Sequence, residues 1–244
     1  MPNDTMPQLT SQSLVVLTGS GISAESGLKT FRGSDGLWES YRAEDLATPE
    51  AFASNPELVH RFYNFRRSQL QQSQIKPNPA HAALNRLEQK FSGKFTLITQ
   101  NVDNLHERAG SENVIHMHGE LIKQRCVATG IVSSCEADLS SETPCLCCNI
   151  AGNARPHIVW FGEIPLYMDE IYKALSSCDL FVAIGTSGHV YPAAGFVEIA
   201  LQAGATTLEL NLESTLQSNH FKHRIQGPAT RLVPEFVDQL LNNL

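Results

Sequence analysis

The sequence has few basic residues and no long apolar run. Its 244 residues include 18 Lys and Arg against 25 Asp and Glu, a formal net charge of -7. This balance argues against the broad basic surface that nucleic-acid binding requires, and it favours a basic protein or peptide as the partner. Residues 1–13 lack a basic segment followed by an apolar one, and runs such as Leu180 to Ile184 are too short to cross a bilayer. We therefore expect no membrane segment and a cytoplasmic location.

Short apolar runs alternate with helical patterns along most of the chain. The runs have the length of buried strands and span residues 14–18, 95–99, 114–117, 158–161, 180–184 and 207–212. Helical patterns follow the capping pair Asn78-Pro79 and run from Pro192 to Leu201, and Pro234 is expected to open the last helix. Strands alternating with helices predict an α/β fold with a Rossmann-type doubly wound parallel sheet. With 42% hydrophobic residues, the chain can bury the core of such a sheet.

Two stretches depart from this alternation. Residues 30–77 show helix signals, including the capping pair Asn55-Pro56, but no convincing strand. Residues 120–155 are polar, rich in Ser and Cys, and without periodicity. We expect these two stretches to form a smaller lobe, with a helical module and a zinc module. A large NAD-binding domain is then made of residues 1–29, 78–119 and 156–244.

A glycine-rich turn follows the first predicted strand. Gly19-Ser20-Gly21-Ile22-Ser23-Ala24 fits G-x-G-x-x-G/A, in which glycines allow the turn and the backbone approaches a pyrophosphate. The same spacing also occurs in a simple strand-to-helix turn, and the acidic residue that an ordinary dehydrogenase carries about 20 positions later is missing. Ribose is therefore expected elsewhere, with Asn211-Leu212-Glu213 as the candidate and a strand-terminating turn as the alternative.

The cysteine spacing indicates an incomplete zinc motif. The six cysteines are Cys126, Cys135, Cys145, Cys147, Cys148 and Cys178. A chain with no secretion signal favours metal binding over disulfides. Only Cys145 and Cys148 form an intact C-x-x-C pair, because Cys126 has Thr129 where its partner is expected. We predict Cys126, Cys145 and Cys148 as ligands of a structural zinc ion. Cys147 or Cys135 could complete the shell, and a weakly bound or empty site is the alternative.

Six motifs occur in order along the chain: TGSGISAESGLKTFRG, TQNVDNLHERAG, HMHGEL, RPHIVWFGE, GTSGHVYPAA and LNLE. Together they resemble the sirtuin family from about Leu14 to the last helix, and the short bacterial members of the CobB type most closely. The resemblance implies a protein-lysine deacylase that consumes NAD and yields nicotinamide, O-acyl-ADP-ribose and free lysine. Consumption of NAD explains the missing dehydrogenase acid. One departure is Ser20, where the family usually has alanine.

The resemblance also implies the site residues. The NAD site would comprise Gly19, Ser20, Gly21, Ile22, Ser23, Thr30, Phe31, Arg32, Trp38, Gln100, Asn101, Asp103, Gly185, Thr186, Ser187, Asn211, Leu212, Glu213 and Ala229. The substrate backbone would lie against Val159, Phe161, Gly162 and Val190, as an added strand.

His118 in HMHGEL is the expected general base. A neutral imidazole can accept a proton at physiological pH, as activation of a ribose hydroxyl requires. His116 lies two positions away, and on a strand both side chains would point the same way. Spacing therefore cannot choose between them, and only the match to the family's His-Gly pair favours His118.

Tyr63 and Arg66 are three positions apart on a predicted helix and share one face. The guanidinium of Arg66 could bind the carboxylate of a succinyl, malonyl or glutaryl group in bidentate fashion. The alternative is a solvated arginine, as we expect of Arg61 and Arg67. The resemblance favours the pocket, since Tyr-x-x-Arg marks members that remove acidic acyl groups and Ala47 matches a small residue that leaves room for them. Acetyl would still fit.

Other functions remain open from the sequence. An ADP-ribosyltransferase would use the same bound NAD, with a protein nucleophile in place of the acyl amide. A non-catalytic NAD-binding or peptide-binding module and a zinc-ribbon interaction protein are weaker alternatives. The oligomeric state also stays open, with a monomer among the options.

Overall fold

A six-stranded parallel sheet lies at the centre of the computed structural model, which describes residues 11–28, 37–38, 41–42 and 45–243. In spatial order its strands are β11 (His223–Gln226), β10 (Thr206–Asn211), β9 (Leu180–Ile184), β1 (Ser13–Thr18), β4 (Lys94–Thr99) and β5 (Val114–His116). The chain proceeds from β1 to β4 and β5 on one side, then places β9 on the other side of β1. Ligands of open α/β sheets bind at such a switch point, beyond the carboxyl ends of the strands.

Helices cover both faces of this sheet. One face packs on α4 (Pro79–Lys90) and α8 (Ala229–Asn242). The other packs on α6 (Met168–Leu175) and α7 (Phe196–Gln202), and short helices α1 (Gly21–Ala24) and α5 (Leu105–Arg108) follow β1 and β4. Because both faces are covered, β9 is buried along its whole length, as its continuous apolar sequence predicts. The predicted doubly wound fold is confirmed.

A second, antiparallel sheet lies beside the first. Its order is β7 (Val132–Ser134), β6 (Gly119–Cys126) and β8 (Ala154–Ile158). Helices α2 (Pro49–Ser54) and α3 (Pro56–Leu70) pack on it, and a two-stranded ribbon pairs β2 (Leu37–Trp38) with β3 (Tyr41–Arg42).

The sequence did not reveal the antiparallel sheet. The expectation of a strand over 158–161 was wrong, because β8 ends at Ile158. Residues 120–155 contain strands that the sequence pattern did not predict. The pairing of β6 with β8 shifts register between Glu120 and Gln124, and this irregularity breaks the alternation of buried and exposed side chains.

The helix starts were predicted with mixed success. The side chains of Asn55 and Asn78 cap α3 and α4 as expected. Pro234, however, lies inside α8, which begins at Ala229, so the expectation that it opens the helix was wrong. The pattern after Pro192 begins with a 3-10 turn (Ala193–Gly195) before α7. Within the described residues, every helix is too short or too polar to span a bilayer.

Candidate active site

A cavity opens between the carboxyl edge of the parallel sheet, the antiparallel sheet and helix α3. The residues that line it are Gly19, Ser20, Ser23, Leu28, Ala47, Tyr63, Arg66, Leu70, Gln100, Asn101, Val102, Asp103, His118, Leu121, Ile158, Val159, Trp160, Phe161, Gly162, Glu163, Pro165, Ser187, Val190 and Tyr191. The fold therefore brings together His118, every predicted substrate residue and seven of the predicted NAD residues. A lining of this kind, largely apolar with a few polar groups, is typical of a small-molecule site.

The glycines of the first turn are required by contact with a second turn. A Cβ on Gly19 would lie 2.7 Å from the carbonyl oxygen of Gly185, and one on Gly21 would lie 2.7 Å from the Gly185 Cα. The turn after β1 is thus pressed against the turn after β9. Of the predicted phosphate loop, Gly19, Ser20 and Ser23 reach the cavity, whereas the side chain of Ile22 is buried in the core.

A buried hydrogen-bond network fixes the floor of the cavity. The Ser23 hydroxyl donates to Asp103 Oδ2 (3.0 Å) and accepts from Asn101 Nδ2 (3.2 Å). Asp103 Oδ1 accepts from the Leu105 backbone N–H (3.0 Å). Burial raises the pKa of Asp103, and the bonds from Leu105 and Ser23 oppose that rise. The network leaves Gln100 and Asn101 in defined positions at the end of β4.

The two candidate histidines occupy different environments. His118 lines the cavity, and its Nδ1 lies 3.1 Å from the carbonyl oxygen of Gln100. His116 is buried away from the cavity lining, with Nε2 2.7 Å from Glu107 Oε1 and Nδ1 3.1 Å from the Asn101 oxygen. Burial by itself would lower the pKa of His116, but the hydrogen bond to Glu107 and the negative charge of that carboxylate outweigh this effect and raise it. The expectation that both face the same way was wrong, because β5 ends at His116 and a turn begins at once.

The acyl-binding candidates Ala47, Tyr63 and Arg66 all line the cavity. Tyr63 is buried on α3, and its hydroxyl accepts a 3.0 Å hydrogen bond from Trp160 Nε1. Burial raises the pKa of Tyr63, so this phenol is neutral. Arg66 is partly buried one turn further along α3. Ala47 also lines the cavity, and its carbonyl oxygen accepts from the Phe161 N–H (2.8 Å).

Arg67 corrects one expectation. Arg61 is exposed as predicted, but Arg67 is only 1% exposed. Its Nε donates to the Leu121 carbonyl (2.9 Å), and its Nη1 donates to Asn64 Oδ1 (3.0 Å) and the Ala137 carbonyl (3.2 Å). The helix turns this arginine inward, so it joins α3 to β6 and to the segment that follows β7.

The remaining NAD candidates lie along the sheet edge or outside the described part. Asn211 donates from Nδ2 to the Thr186 carbonyl (2.6 Å), and Thr186 lines a smaller neighbouring cavity. Leu212 and Glu213 are exposed, and Ala229 opens α8. Thr30, Phe31, Arg32 and the side chain of Trp38 lie outside the described residues.

Four thiols meet at the end of β6. The sulfurs of Cys126, Cys145, Cys147 and Cys148 all lie within 4.8 Å of one another, and the Cys126–Cys148 distance is 3.9 Å. Sulfurs bound to one tetrahedral zinc ion at about 2.3 Å are about 3.8 Å apart, so the cluster fits zinc. Cys147 fills the position that the sequence left open. Cys135 lies outside the cluster and donates to the Ala137 carbonyl.

A protein-family model described as the Sir2 family matches residues 19–192, well over half of the chain. The chain belongs to the Sir2 family. A Salmonella typhimurium protein named NAD-dependent protein deacylase is 59% identical over 231 residues, covering 95% of this chain and 85% of that protein. The Escherichia coli strain K12 protein of the same name is also 59% identical, with 83% of its length covered.

Solved structures agree with this assignment. A Sir2 homologue in complex with NAD gives a TM-score of 0.84 at 40% identity, covering 93% of this chain and 89% of the other. Sir2 bound to an acetylated peptide gives a TM-score of 0.78 at 31% identity, covering 94% and 93%.

Sequence reasoning missed several residues of this Sir2-family site. Trp160 and Glu163 line the cavity, and Arg155 contacts both, with hydrogen bonds to Glu163 and its guanidinium over the Trp160 ring. All three lie in the motif RPHIVWFGE, of which only Val159, Phe161 and Gly162 had been singled out. A buried Arg and a half-buried Glu eight positions apart carry no periodic signal, so only the folded chain reveals their ion pair.

Proposed function

We propose that the chain is an NAD-dependent protein-lysine deacylase that removes acetyl and succinyl-type acyl groups and yields nicotinamide, O-acyl-ADP-ribose and free lysine. One observation carries the proposal. His118, the glycine turn at Gly19 and the pair Tyr63 and Arg66 line a single cavity. The relatives named NAD-dependent protein deacylase, 59% identical over most of their length, support the same activity.

A dinucleotide would lie along the sheet edge of the cavity. Gly19 has no side chain to block a phosphate, and Ser20, Gln100 and Ser187 offer neutral polar groups. The Asp103 carboxylate accepts hydrogen bonds from Ser23 and Leu105, which satisfy its oxygens within the protein. Gly19 to Ser23 would hold the pyrophosphate. The nicotinamide ribose would lie at Gln100, Asn101 and Asp103, and the adenosine half at Gly185, Thr186, Ser187, Asn211, Leu212, Glu213 and Ala229.

Bound NAD supplies a reactive ribose carbon when nicotinamide leaves. The chain contributes a base and a cavity that positions the ribose beside it. The Gln100 carbonyl can only accept a hydrogen bond, so the neutral imidazole of His118 carries its proton on Nδ1. Its Nε2 is then an acceptor, ready to take a proton from a ribose hydroxyl.

The acylated peptide would lie against the segment that follows β8. Val159, Phe161, Gly162 and Val190 all line the cavity. An extended peptide between them would place its lysine side chain in the cavity. The acyl group would then reach Ala47, Tyr63 and Arg66, where a guanidinium and a neutral phenol can both donate to a carboxylate.

The cysteine cluster would hold a structural zinc ion. Cys126 ends β6, and Cys145, Cys147 and Cys148 lie in the turn before β8, so a bound ion would join the two strands at one end. The cluster lies apart from the cavity lining, and its role is to hold this region rather than to perform chemistry. All six thiols are free, which fits a reducing compartment such as the cytoplasm.

Acyl-dependent release of nicotinamide tests the proposal. Acetylated, succinylated and unmodified copies of one peptide are incubated with NAD, and nicotinamide and free lysine are quantified. We expect one nicotinamide for each lysine uncovered, and none with the unmodified peptide. Release without acylation, with ADP-ribose retained on a protein, would instead establish an ADP-ribosyltransferase. If no peptide led to nicotinamide release, the chain would be a non-catalytic binding module.

A further inference from the structure

Trp160 donates its indole N–H to the hydroxyl oxygen of Tyr63 at 3.0 Å. Both side chains are buried and both line the cavity beside Arg66. Indole is a donor only, so the Tyr63 oxygen must be the acceptor in this bond. The O–H of Tyr63 is therefore directed away from Trp160 and is a donor towards another group.

The orientation of Trp160 is fixed from several sides. The Arg155 guanidinium lies over the indole ring, 3.3 Å from its centroid. Arg155 Nη1 and Nη2 donate to Glu163 Oε1 (2.7 Å) and Oε2 (3.0 Å), a bidentate pair. Glu163 Oε2 also accepts from the Trp160 backbone N–H (2.8 Å). The stacked guanidinium and the bond to Tyr63 together favour this orientation of the indole.

The Arg155 guanidinium also makes the Trp160 N–H and the Tyr63 O–H stronger hydrogen-bond donors. A guanidinium over the face of an indole draws electron density from the ring and makes its N–H a better donor. A phenol that accepts such a bond becomes a better donor in turn, because hydrogen bonds in series polarise one another. The carboxylate of a succinyl group can accept a hydrogen bond from this hydroxyl, whereas the methyl group of an acetyl cannot. The polarised hydroxyl therefore favours the acidic acyl group.

We propose that Trp160 determines specificity for acidic acyl groups, by orienting the Tyr63 hydroxyl to donate to the acyl carboxylate beside Arg66. The inference rests on the proposed removal of succinyl-type groups, and it adds a residue that acts only through Tyr63. Trp160 is thus a positioning residue. Phe52, which also packs on the indole at 5.2 Å between ring centroids, has no polar atom to contribute.

A double-mutant cycle tests this role. The variants are Trp160→Phe, Tyr63→Phe and the two combined, each assayed for kcat and KM on succinylated and acetylated copies of one peptide. We expect Trp160→Phe to lower the succinyl-to-acetyl ratio of kcat/KM roughly fivefold, as loss of one hydrogen bond would, mainly through KM for the succinyl peptide. In the Tyr63→Phe background, Trp160→Phe should leave the ratio unchanged.

Controls separate this role from loss of packing. Tyr172→Phe removes a phenol hydroxyl from α6, outside the cavity lining, and should change neither reaction. If Trp160→Phe is unstable, benzothienylalanine at position 160 keeps the shape of the ring and removes only the N–H. Equal loss of both reactions, or an undiminished effect of Trp160→Phe in the Tyr63→Phe background, would overturn the inference and leave the deacylase standing. A wild-type enzyme that accepts acetyl but not succinyl peptide would overturn both this inference and the proposed acyl range.

Discussion

The Nδ1 atom of His118 lies 3.1 Å from the carbonyl oxygen of Gln100, at the end of β4. This bond sets the tautomer of the imidazole and leaves its Nε2 as the hydrogen-bond acceptor. It also ties the base to the segment that follows β4, in which the residue after Gln100, Asn101, belongs to the buried network of Ser23 and Asp103. The position of the base is therefore set by the parallel sheet.

The first prediction concerns the pH dependence of the reaction. Burial lowers the pKa of His118 below 6.5, and the bond to Gln100 only partly opposes this. A lowered pKa means that the neutral base persists to more acidic pH, so the acid limb of kcat/KM should lie below pH 6.5. His118→Gln should lower kcat/KM about 10²- to 10⁴-fold. The exposed His220→Gln is the control. An acid limb above pH 7 in the wild type would contradict the assignment.

Arg66 should discriminate between acyl groups. Loss of a charge-assisted hydrogen bond to a carboxylate should lower kcat/KM for a succinyl peptide roughly 10- to 100-fold in Arg66→Gln, far more than for an acetyl peptide. Arg61→Gln, an exposed change on the same helix, should affect neither. Parallel kinetics on the two peptides measure the difference. Equal losses for both peptides would reject the carboxylate role.

Cys147 should be required for zinc. Cys147→Ser should lower the bound zinc, measured by mass spectrometry of the metal, and lower Tm, because the ion loses one of four thiolates. Cys135→Ser changes a buried cysteine outside the cluster and should retain the metal. Thr129 Oγ1 lies 3.3 Å from Cys147 Sγ, so Thr129→Cys combined with Cys147→Ser should restore binding. Full zinc content in Cys147→Ser would contradict this ligand set.

Arg67 should stabilise the fold without taking part in the reaction. Arg67→Met would leave the Leu121 and Ala137 carbonyls without their donor, and we expect a loss of about 2–4 kcal/mol in the free energy of unfolding. Arg61→Met on the same helix should change it by less than about 0.5 kcal/mol. Urea denaturation measures both. A loss no greater in Arg67→Met than in Arg61→Met would show that these bonds contribute nothing.

The sequence predicted what depends on local chemistry. The strand predicted over 14–18 and the cap at Asn78 follow from short-range patterns, and the structure has both, with the strand at Ser13–Thr18. The C-x-x-C spacing also identified Cys145 and Cys148 as a ligand pair, although the sequence did not determine which cysteine is the fourth thiol. That choice depends on the turn that folds Cys147 towards Cys126, which no spacing rule describes.

What depends on long-range pairing was missed. Arg67 and Arg61 look alike in the sequence, and only the packing of α3 on β6 buries one of them. The polar sequence of β8 conceals a fully buried strand, because Arg155 finds its partner in Glu163 beyond the strand's end. These contacts, which also hold Trp160 against Tyr63, could not be read from residues taken one segment at a time.

A crystal structure with ADP-ribose and a succinylated peptide bound together tests the central claim most directly. We expect a ribose hydroxyl within about 3.2 Å of His118 Nε2, with the pyrophosphate against the turn at Gly19 and the acyl carboxylate at Arg66. A dinucleotide bound with its ribose outside this cavity, beyond reach of His118, would contradict the account.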